Sequence, residues 1–254
     1  MTPRRLPLFT DVPASLTVVR HAESQGNVAN ARARAAEAHQ LELDVRDADI
    51  DLSDNGTRQA DALGRWFGSL ASDERPTLVL SSPYRRALHT ATRTVGDTGL
   101  EIIVDERLRE RELGLFDGLT GRGIRDRYAE EAERRTRIGK FYYRPPQGES
   151  WADVVLRVRS LFADLRTGFA DARIWVFSHQ AVIMSLRHVL EGLDEKETLD
   201  LDRRLTIGNA SVTTYERRDD DLHLSTFADE SAVGRADAAP TEEPSVGDLG
   251  EAAG

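Results

Sequence analysis

Two histidines and two arginines stand at or just beyond the ends of short hydrophobic runs. The run LTVV leads into Arg20 and His21, IWVFS leads into His179, and TLVLS is followed closely by Arg86. Arginine guanidinium groups bind phosphate oxygens through paired hydrogen bonds, and a neutral imidazole can attack phosphorus and carry the phosphoryl group. The residue types therefore predict phosphoryl transfer, on condition that the fold brings the four side chains together.

A complete phosphoryl-transfer site needs two further functions. A second histidine can donate a hydrogen bond to the phosphoryl oxygens, and a carboxylic acid must supply a proton to the leaving oxygen. The sequence contains no glycine-rich phosphate loop and no cluster of metal ligands, so we expect neither a metal nor another cofactor. The chain has no cysteine, which excludes disulfides, thiolate metal sites and a cysteine nucleophile.

The elements that must position these residues can be read from hydrophobic periodicity. Strand-like runs alternate with helical segments, one of which carries Ala60, Leu63 and Phe67 on a single face. Ser150, with Asp153 three residues later, predicts the N-cap of another helix, and SVTTYE with LHLSTF predicts a hairpin. The alternation predicts an α/β fold with a mainly parallel sheet. Strand carboxyl ends share one edge of such a sheet, and ligands bind there.

Charge and composition exclude several classes of protein. The 254 residues include 34 Lys and Arg against 44 Asp and Glu, a net charge of -10, which argues against a nucleic-acid-binding protein. No apolar run approaches the roughly 18–20 residues of a membrane span, and MTPRRLPLFTDVPAS lacks the apolar stretch of a secretory signal. We therefore expect a cytoplasmic protein that binds a small phosphorylated substrate, with no nucleic-acid or membrane partner. The oligomeric state stays open.

The length fits one domain with additions. We predict an N-terminal arm over residues 1–14, a catalytic domain over 15–228 and an acidic, disordered tail over 229–254. The tail has seven acids, one arginine and no aromatic residue, so it has little apolar surface to bury. Residues 31–49 and 120–147 interrupt the alternation and look like insertions over one face of the domain.

The same residues carry a resemblance to a known family. LTVVRHAESQGN resembles the Arg-His-Gly signature of the histidine phosphatase (phosphoglycerate mutase-like) superfamily, with Ala22 in place of the signature glycine. DLSDNGTRQADALG, SSPYRRALHTA, RLRERELGLFDGLT and VFSHQAVIMSLRHVL resemble its later motifs and come in the expected order. The resemblance spans about residues 16–216 and implies a three-layer α/β/α sandwich with a mainly parallel central sheet.

The resemblance also implies roles for individual residues. His21 would be the phosphorylated nucleophile, and His179 would act beside it in the phosphate pocket. Glu110 occupies the position of the proton donor, and Glu112 is its nearest rival. The residues that would bind the phosphoryl group are Arg20, Arg86, Asn27 and Gln180.

The second half of the chain resembles the fructose-2,6-bisphosphatase domain in particular, and Gln180 after the second histidine is part of that likeness. By this resemblance, three residues would lie near a second anionic group of the substrate, namely Lys140, Tyr143 and Arg144. Three substrate-contacting positions of that domain differ here, where the chain has Gly121, Trp151 and Met184. The resemblance therefore implies the reaction and leaves the substrate open.

The sequence thus predicts a metal-independent phosphatase that hydrolyses a small phosphorylated metabolite through a phosphohistidine. One alternative is a cofactor-dependent phosphoglycerate mutase, which would use the same nucleophile. A second alternative is a non-catalytic module that binds a phosphorylated ligand on the same fold.

Overall fold

The structure is a computed structural model that describes residues 8–96, 98–234 and 239–241. Six strands form one sheet: β1 (Ser15–Arg20), β2 (Leu78–Ser81), β3 (Ile102–Val104), β4 (Arg173–Ser178), β5 (Val212–Arg218) and β6 (Asp221–Asp229). Within the described residues the helices are α1 (Gln25–Ala35), α2 (Asp54–Ser69), α3 (Arg85–Val95), α4 (Gly121–Arg127), α5 (Ala129–Ile138), α6 (Trp151–Asp164), α7 (Gln180–Leu190), α8 (Glu195–Arg204) and α9 (Ser231–Gly234).

The sheet has the order β3-β2-β4-β1-β5-β6. The first four strands in this order are mutually parallel, whereas β5 pairs antiparallel with β1 and forms the predicted hairpin with β6. Asp219 and Asp220 close the hairpin with positive φ angles of 48° and 61°, a conformation that Asp tolerates well in tight turns. The prediction of a mainly parallel α/β sheet is confirmed.

Alternate side chains of the central strands pack into two separate hydrophobic cores, one on each face of the sheet. Val18 and Val176 pack with α6 and α7 on one face, whereas Val19 and Phe177 pack with α2 and α3 on the other. This alternation follows from the period of two along a strand. Helices therefore cover both faces of the sheet, which confirms the three-layer α/β/α sandwich.

Two insertions meet at the carboxyl edge of the sheet. Residues 31–49 contain the end of α1 and a short 3₁₀ helix at Asp47–Asp49, and residues 120–147 contain α4 and α5. An isolated bridge between Gln40 and Leu119 joins the start of the second insertion to the first.

The predicted start of the disordered tail at residue 229 is wrong. β6 runs to Asp229, and the short helix α9 that follows buries Ala232 and Val233 in the core beside α2. The backbone oxygen of Ala239 then accepts a hydrogen bond of 2.8 Å from the Gln59 side chain. The prediction was based on the low apolar content of residues 229–254 as a whole, and this average did not reveal that two of these side chains are buried. Residues 235–238 and 242–254 of the predicted tail lie outside the described residues.

The predicted N-terminal arm also packs against the domain where the structure describes it. Phe9 is buried and contacts Phe162 edge to face, with ring centroids 5.4 Å apart. Backbone N–H groups of Thr10 and Asp11 donate to the carbonyl oxygen of Arg166. Residues 8–14 therefore belong to the domain, and residues 1–7 lie outside the described part.

Across the described ranges, no helix is both long and apolar enough to cross a bilayer. The cytoplasmic location and the absence of nucleic-acid partners stay predictions.

Candidate active site

The carboxyl ends of three strands bring the predicted residues to one edge of the sheet. Arg20 pairs with Ser178 across β1 and β4, so the next residues, His21 and His179, lie side by side with ring centroids 5.1 Å apart. A cavity of about 310 Å³ opens at this edge, a size that suits a small molecule. The predicted residues that line it are Arg20, His21, Asn27, Arg86, Glu110 and Gln180.

His21 is held as a neutral nucleophile. Its Nδ1 lies 2.8 Å from the carbonyl oxygen of Ala22. Because a carbonyl oxygen can only accept, Nδ1 carries the proton and Nε2 keeps its lone pair. Burial lowers the pKa of His21 well below its ordinary value of 6.5, and the charges of Arg86 and Arg20 lower it further. His21 is therefore unprotonated at neutral pH, and Nε2 is its nucleophilic atom.

His179 lies fully buried beside His21 and is also neutral. Burial lowers its pKa well below 6.5, and the nearby Arg86 charge contributes. Its Nε2 lies 2.8 Å from Oγ of Ser82, and this oxygen also accepts from the backbone N–H of Tyr84. When Ser82 donates its own proton to Nε2, the proton of His179 lies on Nδ1. This Nδ1 is buried and has no hydrogen-bond partner in the described structure, and His179 lies behind His21 rather than among the residues that line the cavity.

Arg86 already holds an anion in this structure. Its Nη1 and Nη2 bind the two carboxylate oxygens of Asp47, at 3.0 and 3.1 Å. This is the fork geometry with which arginine also binds phosphate. Asp47 belongs to the first insertion and lines the cavity, and the sequence analysis missed it because it sits in an acidic run, DVRDADID, typical of a solvated surface.

Arg20 and Asn27 are fixed by residues far along the chain. Arg20 is buried, and its Nη1 donates to the carbonyl oxygen of Ile207. Asn27 closes the capping box of α1 with Ser24, and its Oδ1 also accepts from Asn209 Nδ2 at 3.3 Å. Asn209 donates to the carbonyl oxygen of His21 as well. No motif in the sequence pointed to Asn209, because it follows α8 and reaches the site only through the fold.

Gln180 is the first residue of α7 and lines the cavity. The N-terminus of a helix presents backbone N–H groups and a partial positive charge, which favour a bound anion. Gln180 is therefore placed where the sequence predicted it, next to His179.

Glu110 is the acid with the properties that a proton donor needs. Burial raises its pKa above the ordinary value of 4.5, and the charge of Asp47 raises it further, although the Arg111 N–H and Arg86 act in the opposite direction. Its Oε1 accepts from the backbone N–H of Arg111 at 2.7 Å. Glu112 and Asp117 also line the cavity, and burial raises the pKa of Asp117 as well, so the proton-donor role of Glu110 stays a prediction.

A network centred on Glu149 holds the loop that carries Glu110. Oε1 of Glu149 accepts from Arg109 at 2.6 Å and from Arg157 at 3.0 Å, and Oε2 accepts from the backbone N–H of Glu112 at 3.0 Å. Arg157 donates in turn to the carbonyl oxygen of Glu110. Several charge-assisted bonds therefore fix the backbone on both sides of the proposed acid.

Three predicted substrate contacts do not line the cavity. Lys140 pairs with Asp202 at 3.1 Å, Arg144 pairs with Asp153, and neither basic residue lines the cavity. Tyr143 packs in a small core of its own and donates to Glu131 at 2.8 Å. Their side chains instead pair with or pack against other residues of the domain.

A model of the histidine phosphatase superfamily (branch 1) matches residues 16–230. The chain belongs to this superfamily. The match covers the signature residues Arg20 and His21 and every later motif up to residue 216.

Several members of the superfamily are similar to this chain. A glucosyl-3-phosphoglycerate phosphatase of Mycobacterium tuberculosis is 40% identical over 117 residues, which is 46% of this chain and 50% of that protein. A 6-phosphofructo-2-kinase/fructose-2,6-bisphosphatase of Caenorhabditis elegans is 32% identical over 173 residues, which is 68% of this chain and 33% of that protein. The chain thus spans a third to a half of the length of these two curated relatives.

Among solved structures, a mycobacterial glucosyl-3-phosphoglycerate phosphatase in complex with VO3 is 30% identical, with a TM-score of 0.67. The match covers 85% of this chain and 98% of that chain. An alpha-ribazole phosphatase from Shigella flexneri has the same fold, with a TM-score of 0.69 at 22% identity over 85% of this chain and 96% of that chain.

Proposed function

We propose that this protein is a phosphatase that hydrolyses a small phosphorylated metabolite through a covalent phosphohistidine at His21, without a metal ion. The observation that carries the proposal is the hydrogen bond from His21 Nδ1 to the Ala22 carbonyl oxygen, at 2.8 Å. It leaves Nε2 as an unprotonated nucleophile at the edge of a cavity lined by Arg20 and Arg86.

In the first step, Nε2 of His21 forms a bond to phosphorus as the bond from phosphorus to the leaving oxygen breaks. Glu110 donates its proton to that oxygen, and the alcohol departs. Arg20, Arg86 and the Nδ1 proton of His179 stabilise the charge on the phosphoryl oxygens.

In the second step, the Glu110 carboxylate accepts a proton from water while the water oxygen bonds to phosphorus. The bond from phosphorus to His21 Nε2 breaks, and the histidine returns to its neutral form. The product is inorganic phosphate, and Glu110 is protonated again. The cycle therefore balances with the residues of this chain and one water molecule.

The named activities of similar proteins support hydrolysis. The mycobacterial relative that is 40% identical over 117 residues is called a phosphatase, and so is the similar solved structure that holds VO3. Vanadate mimics five-coordinate phosphorus, so a site built for this reaction is expected to bind it tightly.

The direct test is release of inorganic phosphate from p-nitrophenyl phosphate and from a set of phosphorylated metabolites, in the presence of EDTA. We expect turnover by the wild-type protein and a loss of at least about 10³-fold in His21→Ala. His223→Ala is the matched control, because His223 is exposed on β6. Wild-type rates in His21→Ala, or activity that EDTA abolishes, would contradict the proposal. Isomerisation of 3-phosphoglycerate that depends on a bisphosphate primer, without phosphate release, would instead favour the mutase.

A further inference from the structure

One wall of the cavity carries three polar side chains that the proposed reaction does not use. Arg111, Trp151 and Asp202 all line the cavity. Arg111 Nε, Trp151 Nε1 and Asp202 Oδ1 are each buried and have no hydrogen-bond partner among the residues that the structure describes. Buried polar atoms are almost always satisfied, and exceptions need a physical explanation. Three such atoms, all on residues that line one cavity, point to a ligand that completes them once the side chains adjust around it.

These side chains come from three separate elements and lie close together. Arg111 follows Glu110 in the cavity loop, Trp151 begins α6, and Asp202 lies in the last turn of α8. The Arg111 guanidinium carbon is 5.7 Å from the centre of the Trp151 ring, a cation–π contact. Burial lowers the pKa of Arg111 to about 10, while the charges of Glu110 and Asp202 act in the opposite direction. Arg111 therefore stays charged at neutral pH and within electrostatic reach of Asp202.

The surroundings hold this group in place before any ligand binds. Trp151 and Asp202 are 3% and 4% exposed, so neither can turn out to water. Lys140 fixes the other oxygen of Asp202, Oδ2, at 3.1 Å. Lys140 does not line the cavity itself, but its ion pair orients Asp202, which does.

The donors and acceptors of this group select one class of ligand. Arg111 and Trp151 can only donate hydrogen bonds, whereas the Asp202 carboxylate can only accept them. A hydroxyl group both donates and accepts, so neighbouring hydroxyls can satisfy all three atoms. A carboxylate or second phosphate on the substrate would satisfy the donors but has no proton to donate to Asp202 Oδ1, and an apolar group would leave every atom unsatisfied.

We propose that Arg111, Trp151 and Asp202 form a subsite for the hydroxyl groups of the alcohol portion, so that the substrate is a sugar or polyol monophosphate. This inference rests on the proposed phosphatase function. Arg111 of this subsite directly follows Glu110, the proposed proton donor to the leaving oxygen. The hydroxylated part of the substrate would therefore lie on the side of the leaving oxygen.

The test compares hydroxylated and unhydroxylated phosphate esters on the same protein. Glucose 6-phosphate, ribose 5-phosphate and sorbitol 6-phosphate form one set, and n-butyl phosphate is the unhydroxylated reference. We expect kcat/KM for at least one hydroxylated ester to exceed that for n-butyl phosphate by about tenfold or more. In Trp151→Phe, which keeps an aromatic ring and removes the N–H, and in Asp202→Asn, this ratio should fall about tenfold.

Asp200→Asn is the matched control, because Asp200 lies on the same helix and pairs with Arg203. It should leave the ratio unchanged, and thermal melting checks that each variant is folded. Equal rates for all esters, or equal losses on all esters in Trp151→Phe, would overturn the subsite. So would a preference for 3-phosphoglycerate that Arg111→Met removes and Asp202→Asn does not. If the folded wild-type protein hydrolyses neither n-butyl phosphate nor p-nitrophenyl phosphate, the proposed function fails, and the subsite fails with it.

Discussion

Arg86 and Asp47 form a two-point ion pair inside the cavity, with Nη1 and Nη2 at 3.0 and 3.1 Å from the two carboxylate oxygens. The Arg86 side chain is 6% exposed and that of Asp47 is 32% exposed. The pair therefore lies between the weak class of surface ion pairs and the strong class of buried ones. Because the carboxylate occupies the fork that we propose for phosphate, substrate binding has to displace it.

Asp47→Ala should strengthen the binding of phosphate-like ligands. We expect the inhibition constant of vanadate to fall about three- to tenfold, because the anion no longer competes with a resident carboxylate. Asp49→Ala is the matched control. It removes an equal charge from the same short helix, two residues from Asp47, where Asp49 pairs with the exposed Arg46. We expect it to change the inhibition constant of vanadate little. Equal changes in both variants would attribute the effect to general charge and contradict direct competition.

The pH dependence of kcat/KM should be bell-shaped, because it reports the ionisation of the free enzyme. Falling pH protonates His21, whose pKa lies well below 6.5, and this removes the nucleophile. Rising pH deprotonates Glu110, whose pKa is raised above 4.5 chiefly by burial, and this removes the proton donor. The Asp47 charge also raises the pKa of Glu110, so Asp47→Ala should move the alkaline limb to lower pH.

Glu110→Gln should lower the rate in a way that depends on the leaving group. For an alkyl phosphate the leaving oxygen needs a proton, and we expect a loss of about 10²–10⁴-fold. For p-nitrophenyl phosphate the loss in the first step should be smaller, since p-nitrophenolate leaves without a proton. The alkaline limb should also disappear in Glu110→Gln and persist in Glu112→Gln.

Asp117 provides a further control for this assignment. It lines the cavity, and its pKa is raised by burial and by the charges of Asp47 and Glu112. If the alkaline limb vanishes in Asp117→Asn and survives in Glu110→Gln, Asp117 is the proton donor and the role of Glu110 is wrong.

Val233→Ala should lower the free energy of unfolding by about 1–3 kcal/mol, because Val233 is fully buried beneath α2 in one of the two main cores. Leu156→Ala is the control, since Leu156 is 64% exposed on α6 and its truncation should change the free energy by less than about 0.5 kcal/mol. Denaturant unfolding measures both. A Val233→Ala protein as stable as the wild type would contradict the packing of residues 231–234.

The sequence predicted those parts of the site that depend on single strands and their ends. Arg20, His21 and His179 each follow a hydrophobic strand, and a parallel sheet must bring such positions to one edge. The periodicity of the strands and helices also sufficed for a mainly parallel α/β sheet, whereas the three-layer arrangement was implied by the family resemblance. These features are local in the chain, so the pattern of residue types reveals them.

The parts that the sequence missed depend on contacts between distant segments. Asp47 reaches Arg86 across 39 positions, and Asn209 reaches His21 across 188. Nothing in the local sequence pattern distinguishes Asp47, which lines the cavity, from other surface acids. Nor does the pattern show that Lys140 lies outside the cavity. Of the proposed subsite, the sequence comparison marked only Trp151, which stands at a substrate-contacting position of the resembling domain. Arg111 and Asp202 were missed because they look like ordinary charges on exposed segments.

The central claim, a covalent phosphohistidine on Nε2 of His21, can be tested by trapping the intermediate. The protein is mixed rapidly with p-nitrophenyl phosphate and quenched in alkali, in which phosphohistidine is stable, and the phosphorylated peptide is located by mass spectrometry. We expect phosphate on Nε2 of His21 in the wild-type protein and in His223→Ala, lost on acid treatment and absent from His21→Ala. Phosphate on another residue, or wild-type turnover by His21→Ala, would contradict the account.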